Sequence, residues 1–455
     1  MSEPASTSHP WYQRIGPGLI TACVVIGPGS IMTSSTIGAN EQYSMLWVVV
    51  ISVIFMMIYM TLGARLGVLA EKPPGDLIRE KGGKGLAVLV GCCAFFISAA
   101  FQSGNNIGAG AAFEAFVDNK VAVAGFIVAL NVLAISFMFV FKDLYRMLER
   151  VMMAFVALML ISFAINLIRL GPDVGAMLAG LIPSAGKGGE DKDTQALVLQ
   201  VLGLVGTTFV ITAGYYQAYL VRQKGWKEPE LKSGLLDARI GSVIMFLITL
   251  MLMSTAAAGL YTGEPVKLAN PIAVADSLEG TFGAGAKIVF CCGLFSAAYS
   301  SFLVNSMIGG FILADSLGLG SSPEDRAPRI ATTAALLTGM FVALAVIIVD
   351  FDRTPTIIFA QAVTVLGAPL IAFVLLWLTS REDVMGDKKN SPIVTIAGAI
   401  GLVLLFGMAG RTAFVSIPTS WERWQNSSAP VVETPESTLG EAEDESTAGE
   451  PVGDK

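Results

Sequence analysis

The sequence predicts an all-α membrane protein of about eleven transmembrane helices, and three observations predict it. Of the 455 residues, 54% are hydrophobic and only 14% are charged, where a soluble domain carries about a quarter charged residues. The deficit is concentrated in runs such as Val48–Met60, Val121–Phe141 and Ala334–Val349, which hold no Asp, Glu, Lys, Arg or His. Runs of this kind, extended to about twenty residues, cross the hydrocarbon core as helices. The alternating segments that a membrane β-barrel requires are absent from the sequence, and helices are the remaining way to satisfy backbone groups in lipid.

In chain order, residues 1–15 are polar and read as a cytoplasmic N-terminal segment with no cleavable signal peptide. Apolar runs between breakers place helices near 16–38, 43–67, 85–116, 121–141, 145–169, 196–222, 236–261, 284–314, 329–349, 354–380 and 391–413. From 425 to 455 the composition turns to Ser, Thr, Pro, Gly, Glu and Asp, and this acidic tail is expected to be disordered. The five cysteines, Cys23, Cys92, Cys93, Cys291 and Cys292, all fall inside apolar runs and read as small buried hydrophobes. Most of the 29 Lys and Arg fall on alternate loops, within 65–84, 142–150, 222–239, 326–329 and 381–389. That bias puts the N-terminus in the cytoplasm and, with an odd number of spans, the C-terminus outside an inner membrane.

Two spans differ from the others. Ile26-Gly27-Pro28-Gly29-Ser30 interrupts the first near its middle, where proline removes a helical hydrogen bond and glycine favours unwinding. The polar string Thr33-Ser34-Ser35-Thr36 follows it. The sixth span carries Thr207, Thr208, Thr212, Gly214 and Gln217 at similar depth. Breaks five helices apart are the pattern of a secondary transporter built from inverted repeats, with its site at the midplane.

These same residues carry a family resemblance. Gly27-Pro28-Gly29-Ser30, then Gly38-Ala39, Tyr43-Ser44-Met45-Leu46-Trp47 and Ala64-Arg65-Leu66-Gly67, resemble the first two helices of the Nramp metal transporters. Leu148-Glu149-Arg150-Val151, Pro172-Asp173-Val174-Gly175 and Gly180-Leu181-Ile182-Pro183-Ser184 resemble its fifth helix and the loop that follows. Ser300-Ser301, Ala368-Pro369, Leu378-Thr379-Ser380-Arg381 and Met385-Gly386 extend the likeness to about residue 412. The resemblance implies a LeuT-type fold: one repeat over 16–169, its inverted copy over 196–380, and an extra helix over 391–413.

It also implies a site, from which this chain departs. The family reads Asp-Pro-Gly-Asn at the first break, and its metal-binding Asp and Asn are here Gly27 and Ser30. Its sixth-helix methionine falls on Val210, its carbonyl on Thr207 and its two histidines on Thr212 and Gln217. Its third-helix acids, associated with proton passage, fall on Gln102 and Asn105, and a tenth-helix glutamine falls on Gly367.

The chemistry of the residues agrees. A dehydrated divalent cation wants a carboxylate, or imidazole and thiolate if it is softer. His9 is the only histidine, and no carboxylate is expected deep in a span. Gly27, Ser30, Thr33, Thr207, Val210 and Thr212 are therefore expected to line an altered site. Gln102, Asn105, Gln217 and Gly367 mark cavity or former proton-path positions, and titration is lost where amides replace acids. Ser300 and Ser301 are candidates for a sodium site by analogy with LeuT-type carriers. The expected function is that of a secondary transporter with an altered central site: metal-ion transport, as the resemblance implies, without proton-coupled transition-metal chemistry. The alternatives are transport of a small neutral or anionic solute, or a non-transporting membrane sensor. No enzymatic activity, cofactor or nucleic-acid partner is expected, and the chain is expected to act as a monomer.

Overall fold

A computed structural model describes residues 16–140, 143–184, 194–266, 283–349 and 353–418, with a few isolated positions between them. His9, the N-terminal segment and the acidic tail lie outside the described residues. Ten described helices, or helix pairs in line, are long and apolar enough to span a membrane, and one bent pair makes an eleventh. The bent pair is the first span: α1 (Pro17–Val25) and α2 (Pro28–Glu41), which meet at 56°. Gly27 caps α2 in extended conformation, and Pro28 occupies its first turn, where its missing N–H costs nothing. A side chain on Gly108 would collide with the Pro28 ring, so glycine lets the break press against α4.

The remaining helices are α3 (Leu46–Leu69), α4 (Pro74–Glu114), α5 (Lys120–Val140), α6 (Leu144–Leu170), the short α7 (Val174–Gly180), α8 (Thr194–Thr208), α9 (Ile211–Gln223), α10 (Leu231–Gly259), α11 (Ala284–Leu317), α12 (Arg326–Val349), α13 (Arg353–Val363), α14 (Ala368–Ser380) and α15 (Pro392–Arg411). The sixth span breaks between α8 and α9 at Phe209 and Val210. Two features depart from the expected helices. The third span starts at Pro74, ahead of the expected 85, and turns at Gly83, whose φ of 85° suits glycine. The tenth span is also interrupted: a 3₁₀ turn at Thr364–Leu366 separates α13 from α14, whose first turn holds Pro369. The ring removes the N–H that a continuous helix would need there.

The helices sort into two packing groups. α10 packs on α1, α2 and α3, and α3 packs on α9; α11 packs most extensively on α4, and α12 covers both. α6 bridges the groups through α1, α10 and α11. All five cysteines are free; Cys23 and Cys291 are buried as expected, whereas Cys92 and Cys292 lie on the outer faces of α4 and α11. Those faces belong to apolar spans, where an exposed thiol meets lipid and loses little by it.

Candidate functional site

The breaks free backbone carbonyls, and hydroxyls from three helices meet them. The Ser30 hydroxyl donates to the Val25 carbonyl and lies 3.5 Å from the Thr207 carbonyl across the second break. Thr33 donates to the Gly29 carbonyl at 2.8 Å, and its Oγ1 is 3.4 Å from Thr207 Oγ1. Thr207 in turn donates to Leu204 at 3.0 Å. From α11, Ser301 Oγ donates to the Val24 carbonyl at 3.1 Å. The Val24, Val25 and Thr207 carbonyls, at the ends of their half-helices, would otherwise lack helical partners in a low-dielectric interior.

Gly27 is the point on which other oxygens converge. A Cβ there would lie 2.9 Å from Ser301 Oγ and 3.0 Å from Asn105 Oδ1. Asn105 donates to Gln102 Oε1 at 2.8 Å, while its own Oδ1 has no hydrogen-bond partner among the described residues. The amides continue away from the break: Asn106 donates to the Gln102 carbonyl at 2.8 Å, and Asn131 of α5 donates to Asn106 at 2.7 Å. Every one of these side chains is buried.

Val210 and Thr212 line a narrow cavity beside the second break, together with Phe101, Gly206, Phe209 and Thr364. The Thr212 hydroxyl is buried there without a partner among the described residues. Five of the six expected lining residues (Gly27, Ser30, Thr33, Thr207 and Thr212) thus bring backbone or hydroxyl oxygen to the two breaks, and Val210 brings an apolar wall.

Other expected positions lie elsewhere. Gln217 sits two helical turns further along α9, bonded to Thr21 at 2.5 Å and to Asp237 at 3.2 Å. Gly367 packs on Ile97 and Cys93 of α4, behind the cavity wall. Ser300 donates to Ala297 of its own helix at 3.2 Å and meets the Cys23 thiol of α1, while Ser301 reaches the Val24 carbonyl beside the first break.

Three residues were not anticipated. Gln361 of α13 is fully buried, and neither its Oε1 nor its Nε2 has a partner among the described residues. Its side chain fills space that two glycines leave: a Cβ on Gly29 would lie 2.5 Å from its Nε2 and one on Gly104 2.9 Å from the same atom, while Gly206 approaches its backbone carbonyl. The other two are Asp237 and Asp315, 0% and 2% exposed. They qualify the expectation that no carboxylate lies deep in a span: both are buried inside the packed bundle, but each lies near a helix end. Neither belongs to the hydroxyl and amide shell described above. No group of three His, Cys, Asp or Glu among the described residues could hold a metal ion. The arrangement offers neutral oxygens only, suited to a hard ligand or to one that keeps water.

Known proteins give the family. Residues 18–414 match the family model described as natural resistance-associated macrophage protein-like, Nramp. The divalent metal cation transporter MntH of Deinococcus radiodurans is 24% identical over 406 residues, covering 87% of this chain and 88% of that protein. The metal transporter nramp1 homolog of Dictyostelium discoideum is 26% identical over 86% of this chain and 75% of its own length. Among solved structures, the Eremococcus coleocola manganese transporter bound to an aromatic bis-isothiourea compound superposes with a TM-score of 0.74 at 18% identity, covering 90% of this chain and 88% of the other. MhsT in complex with L-phenylalanine gives 0.59 at 18% identity, over 87% of this chain and 98% of the other. The broken first and sixth spans thus sit in a LeuT-type all-α membrane fold, and the chain belongs to the Nramp family.

Proposed function

We propose that this chain carries a divalent metal cation across the membrane, and that it holds the ion through neutral oxygens while the ion keeps part of its water. Metal transport comes from the relatives, whose names give divalent metal cations or manganese as cargo. The observation that supports the altered chemistry is the convergence at Gly27, where hydroxyl, carbonyl and amide oxygens gather without a carboxylate or thioether. Fully dehydrating a divalent ion against neutral ligands is unfavourable, and Mg²⁺ in particular gives up water reluctantly. Val210 supplies no sulfur for a softer ion. Gln102 and Asn105 do not titrate, so uptake through this route proceeds without a proton carried by those side chains. The loop charges favour a cytoplasmic N-terminus in an inner membrane.

Uptake into proteoliposomes tests this. With Mg²⁺, Mn²⁺ and Ca²⁺ offered in turn and internal pH followed, the expected result is saturable Mg²⁺ uptake with no acidification. Saturable Mn²⁺ uptake with acidification, in preference to Mg²⁺, contradicts the altered-site reading. Absence of uptake for every metal, in protein shown to be folded, contradicts metal transport itself and turns the search to small solutes.

A further inference from the structure

We propose that Tyr219 and Asp315 form a latch that closes the end of the pathway where α1 begins, and that breaking this one bond opens that end. Gln217 and Tyr219 stand two residues apart on α9, about 200° around the helix, and so face opposite sides. Each meets a buried carboxylate. On one side, Asp237 of α10 accepts from Gly16 N at 2.8 Å and Gly18 N at 2.6 Å, at the start of α1. Gln217 donates to the same carboxylate at 3.2 Å and accepts from Thr21 at 2.5 Å. All of these bonds stay within the packing group of α1, α9 and α10.

The other side differs. Asp315 of α11 accepts from Gly75 N at 2.6 Å, at the start of α4, and Arg79 of α4 donates to its backbone carbonyl at 2.5 Å. These bonds hold α11 to α4 inside the second group. Tyr219 Oη also donates to this carboxylate, at 2.5 Å, and that bond crosses from one group to the other. In a buried, water-poor setting such a hydrogen bond is among the stronger single contacts available. If the half-helices α1 and α9 move against α4 and α11, this bond must break, while the Asp237 bonds can travel intact with α1. The latch rests on the transport reading only in requiring that the bundle alternates between two openings.

Cys23 is a built-in reporter. It is fully buried in α1, with its thiol 3.8 Å from the Met152 carbonyl of α6, between the latch and the first break. In the full chain with Cys92, Cys93, Cys291 and Cys292 replaced by alanine, a membrane-impermeant maleimide would be applied separately to inside-out and right-side-out vesicles. The expected result is that Tyr219→Phe labels Cys23 about tenfold faster than the parent from the side of residue 16, with no change from the other side. Asp315→Asn should act in the same direction. Gln217→Leu, on the opposite face of α9, should leave the rate within about twofold. Tyr219→Phe keeps the ring that stacks on Tyr216 at 5.6 Å, so it carries the test even if Asp315→Asn fails to fold. Unchanged labelling in folded Tyr219→Phe overturns the latch. An equal rise in Gln217→Leu also overturns it, because the effect would then be general loosening. No metal is needed for the readout, so a negative uptake experiment leaves it standing.

Discussion

Replacing Gln361 with leucine is expected to cut cation uptake by at least about tenfold while leaving the protein as stable as before, or more so. Gln361 is fully buried, and neither amide atom has a partner among the described residues. An unsatisfied buried polar group costs about 1–3 kcal/mol. Leucine of similar volume removes that cost and still fills the space beside Gly29 and Gly104. A side chain that lowers stability and lies between two glycines is better explained by a ligand than by packing, as sites often keep what stability would discard. Uptake and thermal melting measured on the same purified variant separate the two roles. Unchanged uptake with raised melting temperature would make Gln361 a packing residue and remove it from the site.

Gly27→Asp is expected to convert the site to one that holds Mn²⁺ at least about tenfold more tightly and depends on pH. The new Cβ would meet Ser301 Oγ at 2.9 Å, so Ser301→Ala is combined with it to relieve the contact. A carboxylate among neutral oxygens and apolar walls is costly unless a cation or a proton accompanies it. The metal-free variant should therefore melt lower than the parent and recover when Mn²⁺ is added. Binding requires the deprotonated carboxylate, so affinity should fall as pH drops through its pKa, a dependence the parent lacks. Gly27→Asn, with the same shape and no charge, should reproduce neither effect. Melting that ignores Mn²⁺ in the aspartate variant would mean that Gly27 does not face the ion.

The fold was largely legible, because hydrocarbon-length apolar runs and loop charge are strong, local signals. The first break was readable from Gly27-Pro28-Gly29, whose backbone effects act within one turn. The second was readable from the hydroxyls around Thr207 and Thr212, although its non-helical residues are Phe209 and Val210, which carry no breaking signal of their own. The third, at Thr364–Leu366, was not: Gly367 and Pro369 in an apolar run are ordinary in membrane helices, and only packing shows the helix parted there. Gln361 was missed for a related reason. A lone amide in a span reads as helix-to-helix glue, and what distinguishes it is the approach of Gly29 and Gly104 from two other helices. Asp237 and Asp315 lie near helix ends, where charges usually meet water, and their burial comes from Gly16, Gly18 and Gly75, distant in sequence.

The central claim is that the cation is held by neutral oxygens. Equilibrium binding of Mg²⁺ and Mn²⁺ to the purified chain, repeated between about pH 5.5 and 7.5, tests it most directly. A site of hydroxyls, carbonyls and amides predicts affinities for the two ions within about tenfold of each other and flat across that range, since no ligand titrates. A preference for Mn²⁺ above about a hundredfold, with affinity lost toward acid pH, would contradict it and require a carboxylate or soft ligand at the site.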